Sequence, residues 1–153
     1  SRYTTYARGD TSDESLRASR KHRAFGGFSM GATTTWDVFA LRPQYFYGYM
    51  LMAGESWIGR EEDADSPRIA ELVTAGVERA HYGPRDFLIL ASVGSEDPAL
   101  WDMTPQIDEL RADYPDLMTA DSLQMWIDEG ESHSMTSVGN QVEHNLPLLF
   151  PGK

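Results

Sequence analysis

The feature that most constrains the fold is the alternation of short apolar runs with amphipathic stretches along the chain. Four runs have the length and residue types of buried strands: Arg23–Phe28, Phe46–Met52, Phe87–Val93 and Leu123–Asp128. Helical patterns lie before, between and after these runs: Ser12–Arg20, Gly31–Leu41, Pro67–Arg79, Pro105–Ala112 and Val138–Leu149. Strands that alternate with helices predict an α/β fold, with a mostly parallel sheet flanked by helices.

Composition excludes several classes of function. The 153 residues carry a formal net charge of −11, and such a chain repels the phosphates of a nucleic acid. No apolar run approaches the roughly 20 residues that span a bilayer, so no membrane partner is expected. Cysteine is absent and no histidine pair has the spacing of metal ligands, so neither a metal nor another cofactor is expected. The acidic residues at 61–65 favour a solvated loop over a calcium site.

A serine motif joins the first predicted strand to the helix that follows it. Residues Gly27–Gly31 read Gly-Phe-Ser-Met-Gly, which is the G-x-S-x-G pattern of a nucleophile elbow. In such an elbow a tight, strained turn lifts the serine Oγ above the sheet, and the flanking glycines let strand and helix approach. The position of the motif between a strand and a helix predicts that Ser29 is a nucleophile. The backbone N–H of Met30 is the expected oxyanion donor.

A serine nucleophile needs a base and an acid that orients the base. In α/β-hydrolases these follow the serine in the order acid then histidine, on loops after later strands. The third predicted strand is followed by a loop with Asp97, and the fourth by a loop with His133.

Each of these two roles has rival residues. Glu96 and Asp102 lie close to Asp97 in sequence and remain alternatives for the acid. The other histidines are less well placed, because His22 precedes the serine, His81 ends a helix and His144 falls inside the last helix as a partly buried structural residue. The pattern therefore favours Asp97 and His133.

Several segments together resemble the bacterial feruloyl esterases of carbohydrate esterase family 1, esterase-D-like modules often found in xylanases. The segments are Arg20–Ala32, Thr34–Trp36, Gly94–Asp97, Met103–Ile107 and Gly130–His133. The resemblance covers nearly the whole chain and departs from the usual pattern at Ala32, where the family commonly has a second glycine.

The resemblance implies an α/β-hydrolase with Ser29, Asp97 and His133 as nucleophile, acid and base. It implies a secreted serine esterase that releases hydroxycinnamic acids from feruloylated xylan or hydrolyses small aryl esters, without a cofactor. An acetyl-xylan esterase or an S-formylglutathione-type esterase is the alternative within enzymes. A non-catalytic relative that binds a carbohydrate or a protein partner is the alternative from another class.

Three large side chains near the predicted site are candidates for substrate binding. Trp57 follows the second strand, and Trp101 and Met103 follow Asp97. Aromatic and methionine side chains at a pocket mouth suit a flat phenolic acid, although each could equally be a packing residue.

The position of the elbow suggests that residues 1–153 form one partial domain. An elbow of this kind normally follows about four strands, whereas Ser29 has at most one strand before it. We therefore expect an N-terminal half of roughly 110–150 residues, judged from typical domain size, on a second chain or in a segment missing from this sequence. Such a half would supply the second oxyanion donor.

Overall fold

The sheet has four parallel strands in chain order. A computed structural model describes residues 12–59 and 68–150, and its strands are β1 (Ala24–Phe28), β2 (Gly48–Met52), β3 (Leu88–Gly94) and β4 (Leu123–Asp128). The register aligns Phe28 with Met52, Met52 with Ser92 and Ser92 with Trp126. All four carboxyl ends therefore lie at one edge of the sheet, as the predicted α/β fold requires.

Five α-helices lie within the described residues: α1 (Asp13–Ala18), α2 (Met30–Leu41), α3 (Ile69–Arg79), α4 (Ala99–Asp113) and α5 (Met135–Leu149). The predicted start of α3 at Pro67 falls outside the described residues. The predicted start of α4 at Pro105 is wrong, because the helix begins six residues earlier and contains Pro105 in its interior. The α5 helix begins three residues before the predicted Val138, with Ser134 as its N-cap.

The main core lies on the face of the sheet that α2, α3 and α4 cover. Phe39 is at its centre, with its ring edge-on to the rings of Tyr49 and Phe87, and Trp36 is fully buried beside it. The α5 helix covers the opposite face, where Leu149 packs with Leu88 and Leu90 in a smaller apolar cluster. Gly48 leaves the room for Leu149, since an added Cβ would lie 2.4 Å from the Leu149 side chain.

Among the residues of ranges 12–59 and 68–150, no helix has both the length and the apolar character needed to cross a bilayer.

The contact between α2 and α3 depends on Gly76. A Cβ added at Gly76 would lie 2.1 Å from the carbonyl oxygen of Ala40, whereas one added at Gly139 on α5 would have no neighbour within 4 Å. Alanine is normally better than glycine in a helix by about 0.5–1 kcal/mol. We expect the steric clash to outweigh this gain at Gly76 only.

Gly76→Ala should therefore lower the free energy of unfolding by about 1–3 kcal/mol, the range typical of overpacking. Gly139→Ala, the matched control, should raise it by about 0.5–1 kcal/mol. Urea unfolding followed by circular dichroism measures both. A stabilised Gly76→Ala protein would show that the two helices can separate at no cost.

Candidate active site

Ser29 occupies a strained turn between β1 and α2. Its backbone has φ 58° and ψ −119°, a conformation that residues other than glycine rarely adopt. The Ser29 N–H donates a 2.8 Å hydrogen bond to the carbonyl oxygen of Met52 on β2, which fixes the turn at the end of the sheet. A Cβ at Gly27 would lie 2.4 Å from the carbonyl carbon of Gly31, so the motif's glycines permit the close approach of strand and helix.

The start of α2 is open for binding an anion. Met30 is the first residue of the helix, so its N–H has no acceptor within the helix. By contrast, the N–H groups of Ala32 and Thr33 already have an acceptor, the carbonyl oxygen of Ser29. The Met30 N–H and the positive end of the helix dipole therefore lie beside the Ser29 side chain.

Asp97 and His133 are hydrogen-bonded to each other. Asp97 Oδ2 lies 2.8 Å from His133 Nδ1, and the second carboxylate oxygen accepts from the Ala99 N–H at 2.9 Å. The Asp97 side chain is 1% exposed and that of His133 is 39% exposed. Glu96 is exposed, and within the described part of the chain Asp102 has no hydrogen bond to His133. Among the three candidate acids, the contact belongs to Asp97.

The loops that carry Asp97 and His133 are joined by backbone hydrogen bonds. The Ser95 N–H donates to the Asp128 carbonyl oxygen at 3.0 Å, and the Glu96 N–H donates to the Glu131 carbonyl oxygen at 2.9 Å. The Gly130 N–H donates to Ser95 Oγ at 2.8 Å. These contacts place the two loops side by side, and the His133 ring packs 4.5 Å from the Phe28 ring at the end of β1.

A cavity of about 400 Å³ lies over the carboxyl ends of β1, β2 and β3. Ser29, Met30, Asp97 and His133 all line it, as do Asp102, Glu55 and Trp57. The structure thus brings the predicted nucleophile, oxyanion donor, acid and base to one opening. A serine on a strained turn, an imidazole bound to a carboxylate and a helix N-terminus around one cavity are the kinds of group that acyl transfer requires.

Trp57 forms a wall of the cavity together with Glu55, which the sequence analysis did not identify. The Trp57 Nε1–H donates to Glu55 Oε1 at 2.7 Å. The loop itself is held by α2, because Trp36 Nε1–H donates to the Gly54 carbonyl oxygen and Thr33 Oγ1–H to that of Glu55. The position of Glu55 three residues after the end of β2, at the edge of the sheet where the loops with Asp97 and His133 also lie, is the signal that could have identified it.

The pocket positions predicted for Trp101 and Met103 are wrong. Met103 is 1% exposed and belongs to the main core with Ile107 and Leu110. Trp101 is 79% exposed, and neither residue is part of the cavity lining. The reason is the early start of α4, which puts Met103 on the buried face of a helix and Trp101 on its solvent face rather than on a loop.

The remaining histidines lie away from the cavity. His22 ends a short 3₁₀ turn before β1, and His81 follows α3. His144 is exposed on α5 and stacks on Trp126 with ring centroids 4.1 Å apart, so the prediction that it is partly buried is wrong. The described ranges contain no group of three or more His, Asp or Glu side chains that could hold a metal ion.

Comparison with known proteins finds a xylanase and a feruloyl esterase module among the proteins that this chain resembles. The chain is 32% identical to endo-1,4-beta-xylanase Y of Acetivibrio thermocellus over 98% of its own length and 14% of the xylanase. It superposes with a TM-score of 0.81 and 31% identity on the feruloyl esterase module from Clostridium thermocellum, solved as a serine-to-alanine mutant with sinapinate. No protein-family model matches the chain.

That superposition covers 92% of the chain and 50% of the module, so the chain spans about half the length of the esterase structure it matches. S-formylglutathione hydrolase FrmB from Staphylococcus aureus superposes with a TM-score of 0.54 at 12% identity, over 85% of the chain and 51% of the hydrolase, which is a likeness of fold alone. The chain therefore has an esterase-type α/β-hydrolase fold, and the predicted resemblance to xylanase-associated feruloyl esterase modules is confirmed over about half the length of such a module.

Proposed function

We propose that this chain carries the nucleophile, the base and the orienting acid of a serine carboxylic ester hydrolase. The observation that carries the proposal is that the strained Ser29 and the Asp97-bound His133 line the same cavity. A module that only binds a ligand has no need of a strained serine or of a histidine held by a buried carboxylate. This arrangement therefore supports an enzyme over a non-catalytic binding relative.

The Asp97–His133 contact determines which ring nitrogen acts as base. An ionised carboxylate only accepts hydrogen bonds, so His133 donates from Nδ1–H and its Nε2 carries the free lone pair. Nε2 takes the proton of the Ser29 hydroxyl as Oγ attacks the ester carbonyl carbon. The Met30 N–H then donates to the oxyanion, and the imidazolium, stabilised by Asp97, protonates the departing alkoxide.

The acyl-enzyme is hydrolysed by the reverse use of the same groups. His133 removes a proton from water, the hydroxide adds to the acyl carbonyl, and the collapse of the second tetrahedral intermediate breaks the bond to Oγ. Ser29 recovers its proton from His133. Apart from the ester and water, these steps use the side chains of Ser29, Asp97 and His133 and the Met30 N–H. A second oxyanion donor would come from a further segment.

The substrate we propose is a feruloyl or related hydroxycinnamoyl ester on xylan, handled by a secreted enzyme of carbohydrate esterase family 1. The similarity to a feruloyl esterase module and to a xylanase supports this class. Trp57 offers a flat apolar surface in a cavity of about 400 Å³, which suits an aromatic acid. An acetyl-xylan or S-formylglutathione-type esterase is the alternative, and relative turnover of feruloyl and acetyl esters separates them.

We also propose that a further segment completes the sheet beside β1. In the described residues β1 pairs only with β2, so its other edge has unpaired backbone groups. The chain spans about half of the esterase module that it matches. A strand at this edge would lie next to Ser29, and the loop after a neighbouring strand is where α/β-hydrolases place the second oxyanion donor.

Ser29→Ala should lower hydrolysis of methyl ferulate at least about 10³-fold while thermal unfolding stays unchanged. The reason is that no acyl-enzyme can form without Oγ. Ser132→Ala, next to His133 but without a proposed role, is the control and should retain most activity. Turnover by Ser29→Ala within tenfold of wild type would rule out the proposed nucleophile.

Asp97→Asn should reduce kcat/KM by about 10⁴-fold, because an amide can hold the imidazole in the wrong tautomer. Glu96→Gln is the matched control, since it makes the same chemical change at the neighbouring, exposed residue. Its activity should stay within about twofold, as expected for a surface substitution. Equal losses in the two variants would contradict the assignment of the acid.

The third expectation concerns the species that is active. Native mass spectrometry of the protein that hydrolyses the ester should give a mass above that of the 153-residue chain. The extra mass would come from a further segment, either on the same polypeptide or on a second chain bound to it. The isolated chain should associate through its open edge and lose about 10²–10³ in rate with the missing oxyanion donor. A fully active monomer made of these residues alone would disprove the need for a further segment.

A further inference from the structure

Asp128, the last residue of β4, is hydrogen-bonded to the start of the loop that carries His133 and to the helix that follows this loop. The Asp128 carbonyl oxygen accepts from the Ser95 N–H at 3.0 Å and from the Glu131 N–H at 3.2 Å. Its carboxylate accepts from Ser137 Oγ at 3.0 Å and from Asn140 Nδ2 at 3.1 Å. One residue therefore contacts the acid loop, the start of the His133 loop and the helix that follows that loop.

The carboxylate also ends a continuous row of buried hydrogen bonds between α5 and the sheet. The bonds run from Asn145 Nδ2 to Ser92 Oγ (2.9 Å), from Ser92 Oγ to Gln141 Oε1 (2.8 Å), and from Gln141 Nε2 to Ser137 Oγ (2.9 Å). The last bond is the one from Ser137 Oγ to Asp128. Asp128 is 7% exposed, and the other four side chains are at most 1% exposed.

The carboxylate of Asp128 sets the direction of the whole row, because Ser137 Oγ donates to it. An ionised carboxylate only accepts, so the Ser137 hydroxyl must donate to it and must accept from the amide nitrogen of Gln141. Gln141 then offers its oxygen to the Ser92 hydroxyl, and Ser92 in turn accepts from Asn145. An apolar residue at 128 would leave the Ser137 hydroxyl without its acceptor and the side-chain amides of Gln141 and Asn145 free to reverse.

We propose that Asp128 is a positioning residue for His133, which holds the His133 loop in place by binding both of its ends and by orienting the polar row beneath it. The inference rests on the proposed function, because it concerns the geometry of the same site. Asp128 lies outside the cavity lining, so it acts on the reaction only through the loop.

Stability alone does not account for this arrangement. The salt bridges within the described residues do not include the buried Asp128, and burying a carboxyl group without a cationic partner is costly. Apolar side chains of similar volume would pack α5 against the sheet at lower cost, as Leu149 does at the other end of the helix. A directional polar row is instead suited to fixing one register of helix and strand, which sets where the loop between them lies.

The test compares the two ends of the buried polar row, Asp128 on β4 and Asn145 on α5. Asp128→Leu should lower kcat on methyl ferulate by about 10–100-fold with KM within about twofold, because a base displaced by an ångström loses this much rate. Asp128→Asn keeps one acceptor for Ser137 and should recover kcat to within about fivefold of wild type. Asn145→Leu removes the far end of the row, away from the loop, and should leave kcat within about twofold while lowering the melting temperature.

Hydrogen exchange read by mass spectrometry provides a measure that does not require turnover. The amides of residues 129–134 should exchange at least about tenfold faster in Asp128→Leu than in Asn145→Leu, with β3 equally protected in both. If Asp128→Leu does not fold, Ser137→Ala breaks the same link and should show the same ordering of kcat and exchange.

Equal effects of the Asp128 and Asn145 variants on kcat and on loop exchange would overturn the inference. A different outcome separates the inference from the proposed function. If the wild-type protein hydrolyses no ester but the loop amides exchange faster only in Asp128→Leu, Asp128 still positions the loop and the proposed function is wrong.

Discussion

The site depends on the backbone of Ser29, which is held in a conformation that costs about 1–3 kcal/mol for a residue with a side chain. One hydrogen bond and two closely packed glycines hold Ser29 in this conformation. The Ser29 N–H is bonded to Met52 on the neighbouring strand, Gly27 allows Gly31 to approach, and Gly54 leaves room for the Ser29 carbonyl oxygen, which would be 2.5 Å from an added Cβ. The strain is therefore offset by the sheet and the helix together, and the serine is fixed before any substrate arrives.

The two buried carboxylates among the described residues have different hydrogen-bond partners. Asp97 accepts from a ring nitrogen of His133 and from the N–H of Ala99, so its side chain is turned toward the imidazole at the cavity. Asp128 accepts from Ser137 and Asn140, so its side chain is turned toward α5. Both lie just after or at the end of a parallel strand, where loop and helix termini supply hydrogen-bond donors. Of these two side chains, only that of Asp97 lines the cavity.

Local patterns in the sequence were sufficient to predict the elements that are determined by residues close together in the chain. The strands, the elbow at Ser29 and the loops with Asp97 and His133 follow from apolar runs, glycine spacing and chain order, and each is present in the structure. The start of α4 was missed because proline usually marks a helix beginning, whereas here Pro105 lies in the interior. The misplacement of Met103 and Trp101 follows from that single error.

The sequence did not predict which face of α5 is buried. Ser137, Gln141 and Asn145 repeat every four residues, and such a polar stripe normally faces solvent. Only tertiary contacts reveal that it is buried.

The packing of α5 on the face opposite the other helices affects how the molecule is assembled during synthesis. The units β1–α2–β2, β2–α3–β3 and β3–α4–β4 join neighbours in sequence, so each can form as it leaves the ribosome. Leu149 cannot meet Leu88 and Leu90, nor fill the space above Gly48, until α5 has followed all four strands out of the exit tunnel. His133 lies on the loop that this helix anchors. A nascent chain therefore exposes Ser29 before α5 is available to hold the His133 loop, and the two side chains line one cavity only after α5 has docked.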